Sequence, residues 1–545
     1  MTGAAQLQGG SNWDVVVVGF GPSGAVAAAL LGRAGIRTLV VDRSDQVYPK
    51  PRAIALDHEI MRVFQNLGLA DAIAPFCEPF TPSEYYGVDG QLIKRLATVE
   101  PPYPLGHTPS MVFTQPPVEE ALRAHVRSLP TVEVALGQRF TGVQQDGEGA
   151  TVQLEDGEGH GTRVRARWVI GCDGASSAVR EAVGITLEDL EFDEPWLVVD
   201  VQVNERGLAR LPATSVQYCE PARPCTYVIG PGKHRRWEIS LLPGEDPAWM
   251  ATAEGAWSVL RRWIGPEDAT LWRQASYRFH ALVAREWRVG RVFIAGDAAH
   301  QQPPFLGQGM CQGVRDVANL AWKLRAVLAG EPTGDAAEAL LDTYAEERRE
   351  HVRRLTTRIK EIGALICERD VDAARARDAA LIAAAGGSIQ TVPRQDIIPP
   401  LVGGLLATEG AGASGTGALF PQPRVAGPTG AVLLDELAGS GWRIVTDLRM
   451  AELPTGLQAL AEKTGMLITI SRDERRFSSA PWRIATAELD GVLERWFVRH
   501  RCSAAIVRPD HYVYGVATDG QSLLALLAGL RRRLGATDAA DACAA

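Results

Sequence analysis

Gly19, Gly21 and Gly24 form the pattern GxGxxG directly after the apolar run Val15 to Val18, and Asp42 closes a second apolar run, Thr38 to Val41. The first glycine permits a tight turn, the second lets a phosphate approach the backbone, and the third lets a helix pack closely on a strand. A helix expected over Ala25 to Leu31 offers its positive N-terminus to an anion, and an acid after the next strand suits a ribose hydroxyl. That combination is the chemistry of dinucleotide binding. A second literal match, Gly410-Ala-Gly412-Ala-Ser-Gly415, follows no strand and opens no helix, so it reads as linker. Two more acids stand on expected turns: Asp173 between Cys172 and Gly174, and Asp297 after Gly296. Beyond Asp297, Pro303 to Gly309 is stiff and then permissive, and it leads into a helix through Trp322 whose amides can face an anion.

These residues need a scaffold of repeated strand-turn-helix units. The first runs from Val15 to Asp42, and the pattern returns at Trp168 to Arg180 and at Arg291 to Arg325. Between the returns, residues 84–109 and 191–280 are rich in Val, Trp, Tyr and Pro with short alternating runs, the pattern of a mostly antiparallel second sheet. A charged helical stretch, Leu341 to Lys360, and an Ala-rich one, Asp372 to Ala385, precede a Gly- and Pro-rich region from Gly386 to Pro428. Val432 to Leu530 then alternates strand-like and helical runs. The predicted fold class is α/β: a discontinuous Rossmann-like domain (12–83, 110–190 and 281–400), an inserted antiparallel-sheet domain (84–109 and 191–280), a linker (401–427) and a C-terminal domain (428–534).

Composition narrows the function classes. The chain has 545 residues, 46% hydrophobic and 22% charged, with a net charge of -9. No basic cluster is dense enough to track a phosphate backbone, so nucleic acid is not an expected partner. No run approaches the ~20 apolar residues of a membrane span, and the first dozen residues lack a signal-peptide pattern. The eight cysteines (Cys77, Cys172, Cys219, Cys225, Cys311, Cys367, Cys502 and Cys543) form no CxxC or metal spacing. Reduced thiols, a cytoplasmic location and no metal are therefore expected.

The segments Val169 to Arg180 and Arg291 to Pro304 resemble the DG and GD motifs of the class A flavoprotein aromatic hydroxylases, the para-hydroxybenzoate hydroxylase fold. Within that family the likeness is to the 3-(3-hydroxyphenyl)propionate hydroxylases. It runs through Pro51 to Asp57, Gly307 to Gly309, Arg315-Asp316, Asn319 to Leu324, Leu340 to Tyr344, Glu347 to Arg349 and Arg508 to Asp510. The resemblance implies FAD, with Asp297 on the ribityl chain and Arg52 and Gln115 in contact. Arg43, Asp173, Pro304, Gly307, Gly309 and Met310 complete the expected cofactor set. It also implies a thioredoxin-like C-terminal module; lacking CxxC, that module is expected to serve packing or a homodimer contact. The implied reaction takes hydride from NADH or NADPH to FAD, captures dioxygen as a C4a-hydroperoxyflavin, and transfers hydroxyl to a phenolic ring. A nitrocatechol, resorcinol or polyketide-type phenol is an alternative substrate, and an oxygen-independent flavin reductase an alternative activity. Candidate catalytic residues are Pro304, Tyr227 and His234, with Tyr85, Tyr86, His107, Arg235 and Arg236 on the same expected sheet.

Overall fold

The computed structural model describes residues 12–407, 414–471 and 477–535. Gly410 and Gly412 of the second glycine pattern, and Cys543, lie outside the described residues.

The β-branched run at the start becomes strand Asn12–Val18, with Val15, Val16 and Val17 fully buried. A strand covered on both faces reads as continuous apolar sequence, as a parallel sheet requires. It lies at the centre of parallel strands in the order Val292–Ile294, Gly161–Gly171, Asn12–Val18, Thr38–Asp42 and Val132–Leu136. Strands Arg139–Gln145 and Ala150–Glu155 extend Gly161–Gly171 in antiparallel fashion, and Arg288–Val289 closes the other edge. Helix Pro22–Arg33 is built of small residues and packs tightly on helix Gly309–Leu328. Ser23 fills the space between Gly296 and Gly313, where a Cβ would lie 2.8 and 2.2 Å from its Oγ.

A second sheet, of nine strands among the described residues, stands against the first unit. Its two longest strands, Leu187–Val203 and Ala269–Ala284, pair antiparallel and run from one core into the other. Leu187 and Val283 belong to the parallel-sheet core, whereas Leu197 and Val199 belong to the second. Ser83–Tyr86 and Gln390–Pro393 join this sheet through parallel pairings, and His300–Gln301 caps its edge. The carriers of the first sheet and of the second are thus interleaved along the chain.

A third sheet orders its strands Ser478–Ala480, Arg483–Ala487, Met466–Ser471, Arg443–Thr446, Ala504–Val507 and Val513–Ala517. Helices Leu457–Thr464, Val492–His500 and Gly520–Arg533 accompany it. Described residues of the Gly- and Pro-rich stretch before it are packed: Leu401, Leu405, Phe420 and Gln422 are buried. No helix among the described residues is long and apolar enough to cross a membrane.

The third unit is joined to the first by buried charges. Arg508 donates to Glu347 at 2.9 and 2.6 Å and to Asp510 at 3.0 and 2.7 Å. Asn319, Trp322 and Lys323 of helix Gly309–Leu328 donate into the same carboxylates. A second buried cluster pairs Arg62 with Asp435 at 2.6 and 2.8 Å, and Arg443 meets the same acid at 2.5 Å.

Candidate functional site

The glycine turn has the shape its residues require. Gly19 sits at φ +102°, and a Cβ there would lie 2.3 Å from the Cys172 carbonyl oxygen. A Cβ on Gly24 would lie 1.9 Å from the Gly19 carbonyl oxygen, whereas one on Gly21 would meet nothing within 4 Å. The face of Gly21 is open, and helix Pro22–Arg33 begins there with no side-chain cap. Asp42 accepts the Phe20 amide on Oδ2 at 2.6 Å and the Ser44 amide on Oδ1 at 2.7 Å, which fixes its carboxylate beside the turn. Arg43, next to it, is exposed.

Arg123 was not singled out in the sequence. It is 4% exposed, lies 4.8 Å from the Phe20 ring and pairs with Glu119 at 2.8 Å. Its Nε and Nη1 have no hydrogen-bond partner, an uncommon state for buried guanidinium donors. The signal available was Glu119 four residues before Arg123 on one helical face.

Asp173 and Asp297 have different surroundings. Asp173 accepts from Ser177 Oγ at 2.5 Å and from the Val179 amide at 3.0 Å, so both its oxygens shape their own turn. Arg180 Nη1 then donates to the Ala175 and Ala298 carbonyls at 3.0 Å each, tying the two turns together. Asp297 is exposed and has no hydrogen-bond partner among the described residues, yet protein surrounds it closely enough that burial raises its pKa. The turn presenting it is braced from behind by Asp316, which accepts the Gly296 amide at 2.9 Å, His300 Nε2 at 2.8 Å and Arg348 Nε at 2.9 Å. Against the cost of burial, His300 and Arg348 hold Asp316 ionised. His300 stacks on Trp287 and packs the turn.

The loop after this turn closes with Pro304–Leu306 and with Gly307 at φ +65°, where a Cβ would lie 2.7 Å from Ala55 Cβ. Pro304, Gly309 and Met310 are half-buried. Helix Gly309–Leu328 starts with no side-chain cap and no acid in its first turn, so its amide end favours negative charge. Arg315 of that helix binds Asp57, Glu59 at 2.5 Å and Gln308 at 3.0 Å, holding the loop against the segment Pro51 to Asp57. Gln115 accepts the Ala53 amide at 2.7 Å and donates to Glu119 at 3.2 Å. Arg52 is exposed, and its guanidinium lies 4.7 Å from the Tyr48 ring.

Opposite these loops, Asp200 is fully buried and accepts His234 Nε2 at 2.7 Å, Arg236 at 2.7 and 3.1 Å, and Arg273 Nη1 at 3.4 Å. Arg236 Nη1 also donates to the Arg52 carbonyl at 2.7 Å, so the sheet touches the expected flavin loop directly. Burial lowers the His234 pKa, so this ring is a neutral donor that holds Asp200. Tyr227 requires a correction. It turns to the far side of the sheet, 5.0 Å from the Trp237 ring in the core with Leu197 and Val199, and burial pushes its phenol up to about 12. Its neighbour Val228 takes the near side, packing with Ile54 and Val112. Of the other candidates, His107 pairs with Gln65, Tyr86 with Glu84, and Arg235 with backbone carbonyls.

The FAD binding domain family matches residues 12–359. A probable NADH-specific resorcinol 4-hydroxylase of Rhodococcus jostii (strain RHA1) is 39% identical over 525 residues, covering 96% of this chain and 94% of that protein. The chain belongs to the class A flavoprotein aromatic hydroxylases. A second relative in this family, the 3-(3-hydroxy-phenyl)propionate/3-hydroxycinnamic acid hydroxylase of Burkholderia cenocepacia (strain HI2424), is 31% identical, covering 95% of this chain and 96% of its own. The fold is shared with the flavin-dependent monooxygenase PieE, solved with FAD and substrate, at a TM-score of 0.77 and 21% identity, covering 97% of this chain and 100% of that one. Residues 417–533 match the HcaD C-terminal domain family. As a hydroxylase of this family the chain uses FAD and NAD(P)H.

Proposed function

We propose that this enzyme hydroxylates a small phenol of the resorcinol type with NADH and dioxygen. The observation that carries the reading is the Asp297 carboxylate, without a protein partner, on a braced turn that leads to the uncapped start of helix Gly309–Leu328. FAD fits this donor and acceptor set. The glycine turn, the amides of helix Pro22–Arg33 and the unpartnered N–H groups of Arg123 suit its pyrophosphate. Asp42 suits a ribose, Asp297 the ribityl hydroxyls, and the Gly309 and Met310 amides the electron-rich end of the ring. Arg52, and the remaining N–H of Gln115, line the same path, and Arg43 stands at its ribose end. Asp173 acts by shaping its turn. When bound, FAD supplies hydride acceptance and oxygen activation.

The chain's own residues do the rest. Pro304, Phe305 and Leu306 wall the site, with Phe305 packed edge-on to Trp196 at 5.4 Å, and so exclude water from the reacting ring. The Asp200–Arg236 pair holds the sheet in register with the Arg52 loop. The proposed domain division follows the sequence reading, except that the long strands Leu187–Val203 and Ala269–Ala284 cross between the first two domains and Gln390–Pro393 pairs into the second sheet. The third sheet, with Arg443–Thr446 parallel to Met466–Ser471 and antiparallel to Ala504–Val507, supports a thioredoxin-like unit in a packing role. Unpaired cysteines at all seven described positions support a cytoplasmic setting.

Higher identity to the resorcinol enzyme than to the phenylpropionate one favours a neutral diol. One observation favours a carboxylate-bearing phenol instead: Arg394 binds Ser83 Oγ and the Leu306 carbonyl at 3.1 Å each, and among the described residues it has no carboxylate in ion-pair range. Steady-state NADH oxidation with resorcinol and with 3-(3-hydroxyphenyl)propionate separates the two. Resorcinol is expected to give a kcat/KM at least about tenfold higher, a difference of ~1.4 kcal/mol at the transition state. The reverse order would move the assignment to the acid.

A further inference from the structure

The sheet face that looks toward the flavin loops carries a carboxyl group that neither the fold nor the cofactor set uses. Glu238 lies on strand His234–Ser240 and pairs across the sheet with Val198 and Thr226. It is 4% exposed and accepts no hydrogen bond from any described residue. Its ion pair with Arg236 Nη1, at 4.0 Å, lies beyond hydrogen-bond reach. Buried carboxylates usually accept hydrogen bonds, and among the described residues none donates one here, so the Glu238 oxygens are left free to accept from a ligand.

Its neighbours locate it. One row along the face, Trp196 packs against Phe305 of the Pro304 loop. On the other side, Arg236 reaches the Arg52 carbonyl and Val228 packs on Ile54. Glu238 therefore lies between the two loops that the flavin reading assigns to the reacting end of the cofactor. We infer that Glu238 is a catalytic residue that accepts the phenol proton of the substrate, an assignment that rests on the proposed hydroxylase activity.

The charges around it suit that task. Asp200 faces Glu238 from strand Leu187–Val203, Arg273 from strand Ala269–Ala284, and Arg236 from its own strand. Asp200 is saturated by its donors, and two arginines face two acids, so the cluster is neutral when Glu238 is ionised. Burial raises the Glu238 pKa to about 7, and Asp200 adds to the rise while Arg236 and Arg273 oppose it. A general base titrating near the working pH is the efficient case. The step is a proton transfer alone: the phenol O–H bond breaks, the Glu238 O–H bond forms, and no electrons change hands. The cluster then carries one net positive charge, which stabilises the phenolate that the ring needs for electrophilic attack.

The test uses FAD-loaded protein without NADH, so that no turnover occurs, and resorcinol, which is a neutral phenol in solution at pH 8 and whose phenolate absorbs at longer wavelength in the near ultraviolet. At pH 8 Glu238 is ionised. Wild-type protein is expected to develop the phenolate absorbance on binding with no proton released to solvent, measured by calorimetry in buffers of different ionisation enthalpy. E238Q has no acceptor, so it should release about one proton per phenolate formed, and E238D should restore retention. In turnover, the wild-type rate should rise with pH through about 7, because the protonated carboxyl cannot accept. E238Q should lose that limb and fall by about 100-fold at pH 8. Hydroxylation that persists in E238Q with an unchanged pH profile, or wild-type protein releasing a full proton on binding, overturns the role of Glu238 alone. Absence of oxygenated product from wild-type holoenzyme with every phenol tried overturns the hydroxylase reading and this inference with it.

Discussion

Arg508→Ala is expected to lower the unfolding free energy by about 3–5 kcal/mol, the effect of stranding buried charges by removing their partner. Arg508 is fully buried and satisfies Glu347 from helix Gly334–Cys367, Asp510 from its own unit and the Leu405 carbonyl. Its loss leaves Glu347, among the described residues, with Lys323, Asn319 and the Leu405 amide. Burial disfavours the Glu347 charge, yet Arg508 and Lys323 hold its carboxyl well below the ordinary 4.5. The stability this depressed group contributes is present above 4.5 and is lost only as pH falls through the lower folded value. In R508A that protection shrinks, so acid unfolding should begin at higher pH. Urea unfolding followed by tryptophan fluorescence measures the first effect, with Trp322, a donor to Asp510, as a local reporter. An unchanged urea midpoint would show that the C-terminal unit is not held by this cluster.

Asp297→Ala should weaken FAD binding by about 10- to 100-fold while leaving the urea midpoint within experimental scatter. The loss corresponds to ~1.5–3 kcal/mol for a hydrogen bond to a charged acceptor. The unchanged stability follows from the geometry: Asp297 makes no hydrogen bond to the described protein, and its carboxylate is disfavoured by burial before any ligand arrives. Asp316, which accepts the amide of the residue before Asp297, gives a different pattern. Asp316→Ala removes the brace of Gly296, His300 and Arg348 together, so stability and FAD binding should fall in concert. Flavin fluorescence quenching against apoprotein, run beside the unfolding curves, separates the two. Loss of fold in D297A would mean that this acid is structural.

What could be read from sequence was what is local. Gly19, Gly21, Gly24 and Asp42 act within one strand-turn-helix-strand unit, and both their identity and their spacing follow from that unit. The same holds for Asp297, whose turn lies between strand Val292–Ile294 and its helix. The Asp173 turn was legible as a turn, but which way its carboxylate points depends on Ser177 and Val179 closing it. Tyr227 was misplaced because a strand covered on both faces shows no polar alternation, and a shift of one residue moves a side chain to the opposite side. The braces were illegible for another reason. Arg508 with Glu347, Arg62 with Asp435, and Arg236 with the Arg52 carbonyl join residues far apart in the chain, and nothing in either local segment names its partner. Glu238 is the same case: that no described residue donates a hydrogen bond to its carboxylate is decided only in three dimensions.

Holoenzyme, NADH and resorcinol react under isotopically labelled dioxygen, with product mass and NADH consumption read together. The expected product is a trihydroxybenzene carrying one labelled oxygen atom, formed in equal amount to the NADH consumed. NADH oxidation that yields only labelled hydrogen peroxide with resorcinol and every other phenol offered, or product without label, would contradict the hydroxylase reading.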